Sequence, residues 1–303
     1  MWRKIRHREL TAQPILWAFG STLLLVIISI WLLVDYIIAW PLSTEFFEPV
    51  LSADFALYVA AGFVAQVIDG ALGMAYGASA STFLLSIGVS PAAASASIHA
   101  SEIFTSGVSG WMHFRFQNVN KKLFQTLLLP GMLGAAGGAL VLSSLGEYQH
   151  WLKPIVAAYT FILGFLIVLK ALRRRSSRLK TDRIPVLASF GGFMDSVGGG
   201  GWGPIVSSTL IAGGRHPRYT VGSVNAAEFF VAVVSSLTFF VMIGLTHLHV
   251  ILGLIIGGVA AAPLGALIAR RLPAKRFMLW VGVAVMAISL RLVVLAFVQF
   301  IPS

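Results

Sequence analysis

Seven stretches of this chain, 15–38, 93–113, 123–143, 154–172, 221–244, 250–269 and 277–299, are apolar over about the length a helix needs to cross a bilayer. Hydrocarbon offers no water to backbone polar groups, so a spanning chain is either helical or a closed barrel. These runs are continuous rather than alternating, which removes the barrel. The fold class is therefore an all-α integral membrane protein. With 57% apolar and 11% charged residues among 303, a soluble domain is excluded. No cysteine is present, so disulfides, thiolate catalysis and Cys-ligated metal are excluded too.

A net charge of +11 raises the question of nucleic acid. The basic residues sit in short loops between apolar runs, as positive-inside sorting requires, so the partner is the lipid bilayer and no nucleic acid is expected. Arg3, Lys4, Arg6 and Arg8 precede an apolar run from Ile15 to Val34 that is too long for a signal-peptide core. That run is expected to be a retained span with the N-terminus in the cytoplasm. Glu45, Glu48 and Asp54 then lie outside.

Two segments, 55–88 and 184–212, are longer than one span and are broken by glycine. If each crossed once, the Lys and Arg residues would divide almost evenly between the two sides. If each returns on its own side as a re-entrant hairpin, twenty Lys/Arg face the cytoplasm and only Lys153 lies in an outer loop. The orientation rule selects the hairpins. Each half then holds one hairpin and three crossings, so the halves form an inverted repeat about an axis in the membrane plane. The expected organisation is 1–54 (tail, extra transmembrane helix and outer loop), 55–172 (first repeat), 173–183 (basic cytoplasmic linker) and 184–303 (second repeat).

The residues themselves repeat at an offset of 126. Asp69, Gly73, Tyr76, Gly77, Ser81, Gly88, Pro91, Ser97, His99 and Glu102 align without a gap on Asp195, Gly199, Trp202, Gly203, Ser207, Gly214, Pro217, Ser223, Asn225 and Glu228. Ten of the thirty-four positions between Asp69 and Glu102 are identical, against roughly three by chance for such a composition. A duplicated element that carries two acids into each half of a membrane protein is the pattern of a carrier.

The hairpin tips read Asp69-Gly-Ala-Leu-Gly-Met-Ala-Tyr-Gly77 and Asp195-Ser-Val-Gly-Gly-Gly-Gly-Trp-Gly203. Consecutive glycines weaken a helix unless the backbone must unwind or be approached closely. Unwound backbone at membrane depth survives where it is buried or lines a wet cavity, and its N–H groups then suit an anion. Gly73, Tyr76, Gly77, Gly199, Gly200, Gly201, Trp202 and Gly203 are the candidate substrate-binding residues, with Ser81, Ser207 and Asn225 adding side-chain donors. Gly134, Gly137, Gly138, Gly257 and Gly258 are expected only to permit tight helix packing. Asp69 and Asp195 fit two roles equally, helix cap or ligand and proton site.

Glu102 and Glu228 lie in the middle of apolar spans, each with a polar residue three positions earlier on the same helical face, His99 and Asn225, and Ser95 and Ser106 extend that face in the first copy. A carboxylate at that depth is costly unless paired or protonated. Asp69, His99, Glu102, Asp195 and Glu228 are therefore the candidate proton-coupling residues, an interhelical hydrogen-bond clamp being the structural alternative. His247 and His249, two residues apart, make an incomplete metal site, so neither metal nor cofactor is expected. Arg215, His216 and Arg218 around Pro217 are expected to set orientation.

The Gly199-Gly200-Gly201-x-Gly203-Pro204 stretch, Gly213-Gly214, Gly222-Ser223 and the basic turn from Arg115 to Lys122 resemble the TauE/SafE family over about residues 55–300. The resemblance implies a permease for small sulfur-containing anions in the bacterial cytoplasmic membrane, not an enzyme. The expectation is a secondary transporter of an oxyanion such as sulfite or an organosulfonate, proton-linked and working by alternating access, with a homodimer left open. A cation- or proton-driven carrier using Asp69 and Asp195 as ligands is the alternative. An intramembrane aspartyl hydrolase with the same two residues as its dyad is a remote one.

Overall fold

The protein is described by a computed structural model covering residues 53–72, 74–172, 183–244, 247–271 and 274–299. The extra span at 15–38, Gly73 and positions 173–182 of the basic linker lie outside the described residues.

The first half comprises α1 (Ala53–Leu72), α2 (Tyr76–Ser86), α3 (Pro91–Arg115), α4 (Lys121–Ser144) and α5 (Gln149–Leu172). The second comprises α6 (Ile184–Gly198), a π-helical turn at Trp202–Ser207 running into α7 (Ser208–Ala212), α8 (Pro217–Ile243), α9 (Leu248–Arg271) and α10 (Ala274–Gln299). Helix breaks fall where the glycines stand, between Leu72 and Tyr76 and between Gly198 and Trp202. One difference from the sequence expectation concerns the first hairpin. Its leading arm, α1, has 20 residues, about 30 Å at ~1.5 Å per residue, which is by itself the length of a crossing. The physical reason is local: 53–72 is rich in Ala, Val and Leu, and its two glycines, Gly62 and Gly70, do not break the helix.

The repeat is visible as local geometry. Gly88 and Gly214, equivalent at the 126-residue offset, both turn the chain with positive φ, 99° and 85°. Only glycine adopts that conformation without steric cost. Pro91 and Pro217, again equivalent, then open α3 and α8 at the first turn, where a missing N–H removes no helical bond. Ser90 accepts from Ala93 N–H to cap α3, and Asn120 accepts from Leu123 N–H at 2.9 Å to cap α4.

Packing follows the same exchange. α1 lies against α9 as α6 lies against α4, while α5 pairs with α10 and α3 with α8 across the halves. Swapping the halves returns this set of pairings. Small residues make the contacts close. A Cβ on Gly62 would run into the Leu254 backbone and one on Gly257 into the Val59 carbonyl, both between α1 and α9. Gly134 and Gly138 meet the carbonyls of Ser189 and Phe193 in the same way between α4 and α6. The expected packing role thus holds for Gly134, Gly138 and Gly257. Gly137 and Gly258 have ordinary room, with nearest atoms at 3.8 and 3.9 Å. Lipid supplies no hydrophobic drive between helices, so this intimate backbone contact is what holds such pairs together. Large apolar side chains such as Val108, Leu133 and Trp280 are left on the outside, where a bilayer would cover them. Among the described residues, five helices have the length and hydropathy of membrane spans.

Candidate functional site

The two glycine breaks meet. A Cβ on Gly77 would strike the Gly199 carbonyl and lie 2.6 Å from Gly200 Cα, so the tips of the two halves touch through bare backbone. Beside this contact is a cavity of about 30 Å³. Its wall takes Asp69, Tyr76 and Gly77 from the first tip, Asp195, Gly200, Gly201 and Gly203 from the second, Glu102 from α3, and Asn225 and Glu228 from α8. Two helices and two tips, each pair related by the repeat, thus deliver four carboxyl groups to one small space.

Asp195 is fixed first by its own hairpin. One carboxylate oxygen, Oδ1, accepts from Gly201 N–H at 2.6 Å and Trp202 N–H at 2.9 Å. The main-chain carbonyl of Asp195 takes the N–H groups of Gly199 and Gly200, and Gly199 turns with φ 67° to allow it. Asp195 therefore caps the second arm across the glycine break. At the first tip a single backbone N–H, that of Tyr76 seven residues on, interacts with the Asp69 carboxylate, where Asp195 takes two. The cap role is visible at both tips. It also occupies the donors at Gly199, Gly200, Gly201 and Trp202 that the sequence offered to a substrate.

The second Asp195 oxygen is different. Asp195 is 2% exposed, and Oδ2 has no hydrogen-bond partner. It lies 3.9 Å from His99 Nδ1. His99, fully buried and stacked near Phe239, joins two acids from opposite halves. Its Nδ1 is 3.1 Å from Glu102 Oε2 and its Nε2 is 3.3 Å from the Asp195 carbonyl. A carbonyl can only accept, so Nε2 carries a proton. The Nδ1–Oε2 contact then holds a second proton, on Glu102 in the neutral pair or on His99 in the ion pair. That is a proton-exchange geometry. His99, Glu102 and Asp195 also present donor atoms within 4.8 Å of one another.

Several predicted residues serve structure. Trp202 is fully buried, with Nε1 donating to the Val224 carbonyl at 3.0 Å and its ring lying against Gly131. Tyr76 reaches the cavity, yet its hydroxyl is hydrogen-bonded to Ser101 at 2.9 Å. Ser81 and Ser207 are buried outside the cavity wall. His99 stands behind Glu102 rather than in the wall. Asn225 is in the wall, its amide donating to Ser109 at 3.1 Å.

Other residues were missed by sequence reasoning. Thr105 and Ser109 line the cavity with Glu102 and with Ser106, which was expected on that face, and their spacing of three and seven from Glu102 is the same helical face. That periodicity was available. Tyr159 had no such signal, being one aromatic in an apolar span. Its hydroxyl donates to the Gly200 carbonyl at 3.1 Å, and its ring fills the space beside Gly198. Ser95, expected on the Glu102 face, donates to the Ser196 carbonyl, and Ser196 pairs with Ser235 at 2.8 Å, tying α3 and α8 to the second hairpin.

The family described as sulfite exporter TauE/SafE matches over residues 58–292. A curated relative, the probable membrane transporter protein YtnM of Bacillus subtilis (strain 168), is 34% identical over 241 residues, 76% of this chain and 79% of the relative. No solved structure matches.

Proposed function

This chain belongs to the TauE/SafE family and is a multi-pass membrane transporter, not an enzyme; from that premise we propose that it carries a small sulfur-containing oxyanion, such as sulfite or an organosulfonate, in a proton-linked cycle. The family description names sulfite export. The observation that carries the proposal is the meeting of the two glycine tips beside one cavity whose wall mixes backbone, Asn225 and carboxyl groups from both halves. Ionised carboxylates repel an anion strongly at low dielectric. An oxyanion can enter only when some of them are neutral, which makes protons obligatory partners. Glu102, paired with His99, and Glu228, facing Asp69, Glu102 and Asp195, are the groups assigned to that task. Rocking of one inverted repeat against the other would expose the cavity alternately. The setting is the bacterial inner membrane with a cytoplasmic N-terminus.

The test is flux into proteoliposomes under imposed pH gradients. Sulfite or sulfonate uptake should follow the gradient in the native protein and lose that dependence in Glu102→Gln and Glu228→Gln. Flux indifferent to both changes removes the coupling.

A second reading rests on its own observation. The N–H groups of Gly199, Gly200, Gly201 and Trp202 are already engaged, and four acids line the wall, which favours a cation as the bound species. Cation-dependent flux of a neutral solute, with no competition by oxyanions, would select it.

A further inference from the structure

We propose that the Asp195 carboxylate is a resident anion: it holds the donor seat at the second hairpin tip, and a transported oxyanion takes that seat when Asp195 accepts a proton. The inference rests on the oxyanion reading above and supplies its coupling step.

The seat is defined by two adjacent backbone N–H groups, Gly201 and Trp202, which converge on the single oxygen Oδ1 at 2.6 and 2.9 Å. Paired N–H groups at the opening of a helical segment are what an oxyanion binds elsewhere. Here a carboxylate from the same chain is already there. The neighbouring space does not permit both. A cavity of about 30 Å³ holds two or three waters, at ~10–15 Å³ each, not an oxyanion beside an intact cap. Two negative groups sharing one pair of donors would also repel at short range in a medium of low dielectric.

Protonation changes the competition. A neutral carboxyl is a weaker acceptor and no longer excludes a second anion by charge. Its new O–H needs an acceptor, and Oδ2 is the oxygen left buried without a partner. The titratable groups around Asp195 come from four helices: His99 and Glu102 on α3, Tyr159 on α5, Glu228 on α8 and Asp69 on α1. Among these, the His99–Glu102 pair already holds an exchangeable proton 3.9 Å from Oδ2. The proton enters from water through that pair to Oδ2, Oδ1 leaves the two N–H groups, and the anion's oxygen replaces it. The reverse order ejects both. The first tip offers Asp69 the single N–H of Tyr76.

The probes are methanesulfonate and sulfate, whose charge is constant from pH 5 to 8, bound to the purified full-length protein and followed by calorimetry and flux. In the native protein, affinity should rise about tenfold per unit fall in pH for each proton taken up. Titration in buffers of different ionisation enthalpy should count close to one proton per seat filled. Asp195→Asn, neutral at every pH, should lower that count by about one and flatten the affinity profile by the same decade per unit. Anion binding without proton uptake in the native protein overturns the inference and needs no variant. So does an Asp195→Asn protein that keeps the native slope. If neither anion binds nor moves, the oxyanion reading falls and the resident-anion step with it.

Discussion

Gly77 and Gly200 pack backbone on backbone, with the position of an added Gly77 Cβ only 2.6 Å from Gly200 Cα. The contact joins the two halves beside the cavity and leaves no room for a methyl group. Gly200→Ala should therefore destabilise the protein by about 1–3 kcal/mol through overpacking and abolish flux. Gly137→Ala, whose nearest neighbour would be Phe193 at 3.8 Å, should be neutral or stabilise by up to ~1 kcal/mol, as expected for a helical glycine. Thermal unfolding in detergent compares the two. Equal losses would show that the tip contact has no special role.

Tyr159 and Gly201 should be energetically coupled. A Cβ on Gly201 would collide with the Tyr159 hydroxyl oxygen, while its next neighbours stand at 3.4 Å. Tyr159→Phe alone loses one hydrogen bond to the Gly200 carbonyl, about 1 kcal/mol. It also removes the atom that an alanine at 201 would strike. The double variant should thus be more stable than the two single changes predict, by about 0.5–3 kcal/mol in a mutant cycle. Strict additivity would argue against this placement of the Tyr159 ring.

Ala75 occupies a conformation suited to glycine. It precedes α2 with φ 81° and provides no side-chain cap. A residue with a Cβ loses roughly 1–2 kcal/mol in that region. Ala75→Gly should stabilise the protein by about 1 kcal/mol, offset in part by the freedom glycine gains in the unfolded chain. A fall in melting temperature would contradict the strain assigned here.

Asn120 supports two elements at once. Its side chain caps α4 through Leu123 N–H, and its backbone N–H donates to Ser223 Oγ on α8 at 2.8 Å. Asn120→Ala should cost about 1 kcal/mol from the cap alone, because the main-chain bond to Ser223 survives. Asn120→Asp should retain most of the stability. An alanine variant as stable as the native protein would remove the cap from the account.

The proposed inverted arrangement is open to direct measurement, since the native chain has no cysteine to confuse a label. Single cysteines at Ser177 in the basic linker and at Lys153 in the proposed outer loop should react from opposite sides of intact cells. An impermeant reagent should reach Lys153→Cys and not Ser177→Cys. Labelling of both from outside would defeat the two-hairpin topology.

The linear pattern carried a great deal. Apolar runs of bilayer length determine the helical membrane class, because a backbone in hydrocarbon has few ways to satisfy its own polar groups. Glycine clusters located both helix breaks, and the 126-residue offset located equivalent turns at Gly88 and Gly214 and equivalent starts at Pro91 and Pro217. These features are local, so periodicity and residue chemistry suffice to find them. Asp69, Asp195, Glu102 and Glu228 were legible as a group because acids are rare in such surroundings.

Tertiary structure decided how those residues face one another. Whether an aspartate caps its own hairpin or is free for a ligand depends on the path of the chain across an unwound stretch, and Asp195 does one with each oxygen. Trp202 looked like a tip residue and became a core anchor, while Tyr159, featureless in its span, was brought beneath the glycine run. Contacts between α3, α5, α8 and the second hairpin span roughly forty to a hundred residues of sequence. No local propensity encodes such distances. Close packing in three dimensions sets them, since helices separated along the chain approach only where glycine lets their backbones touch.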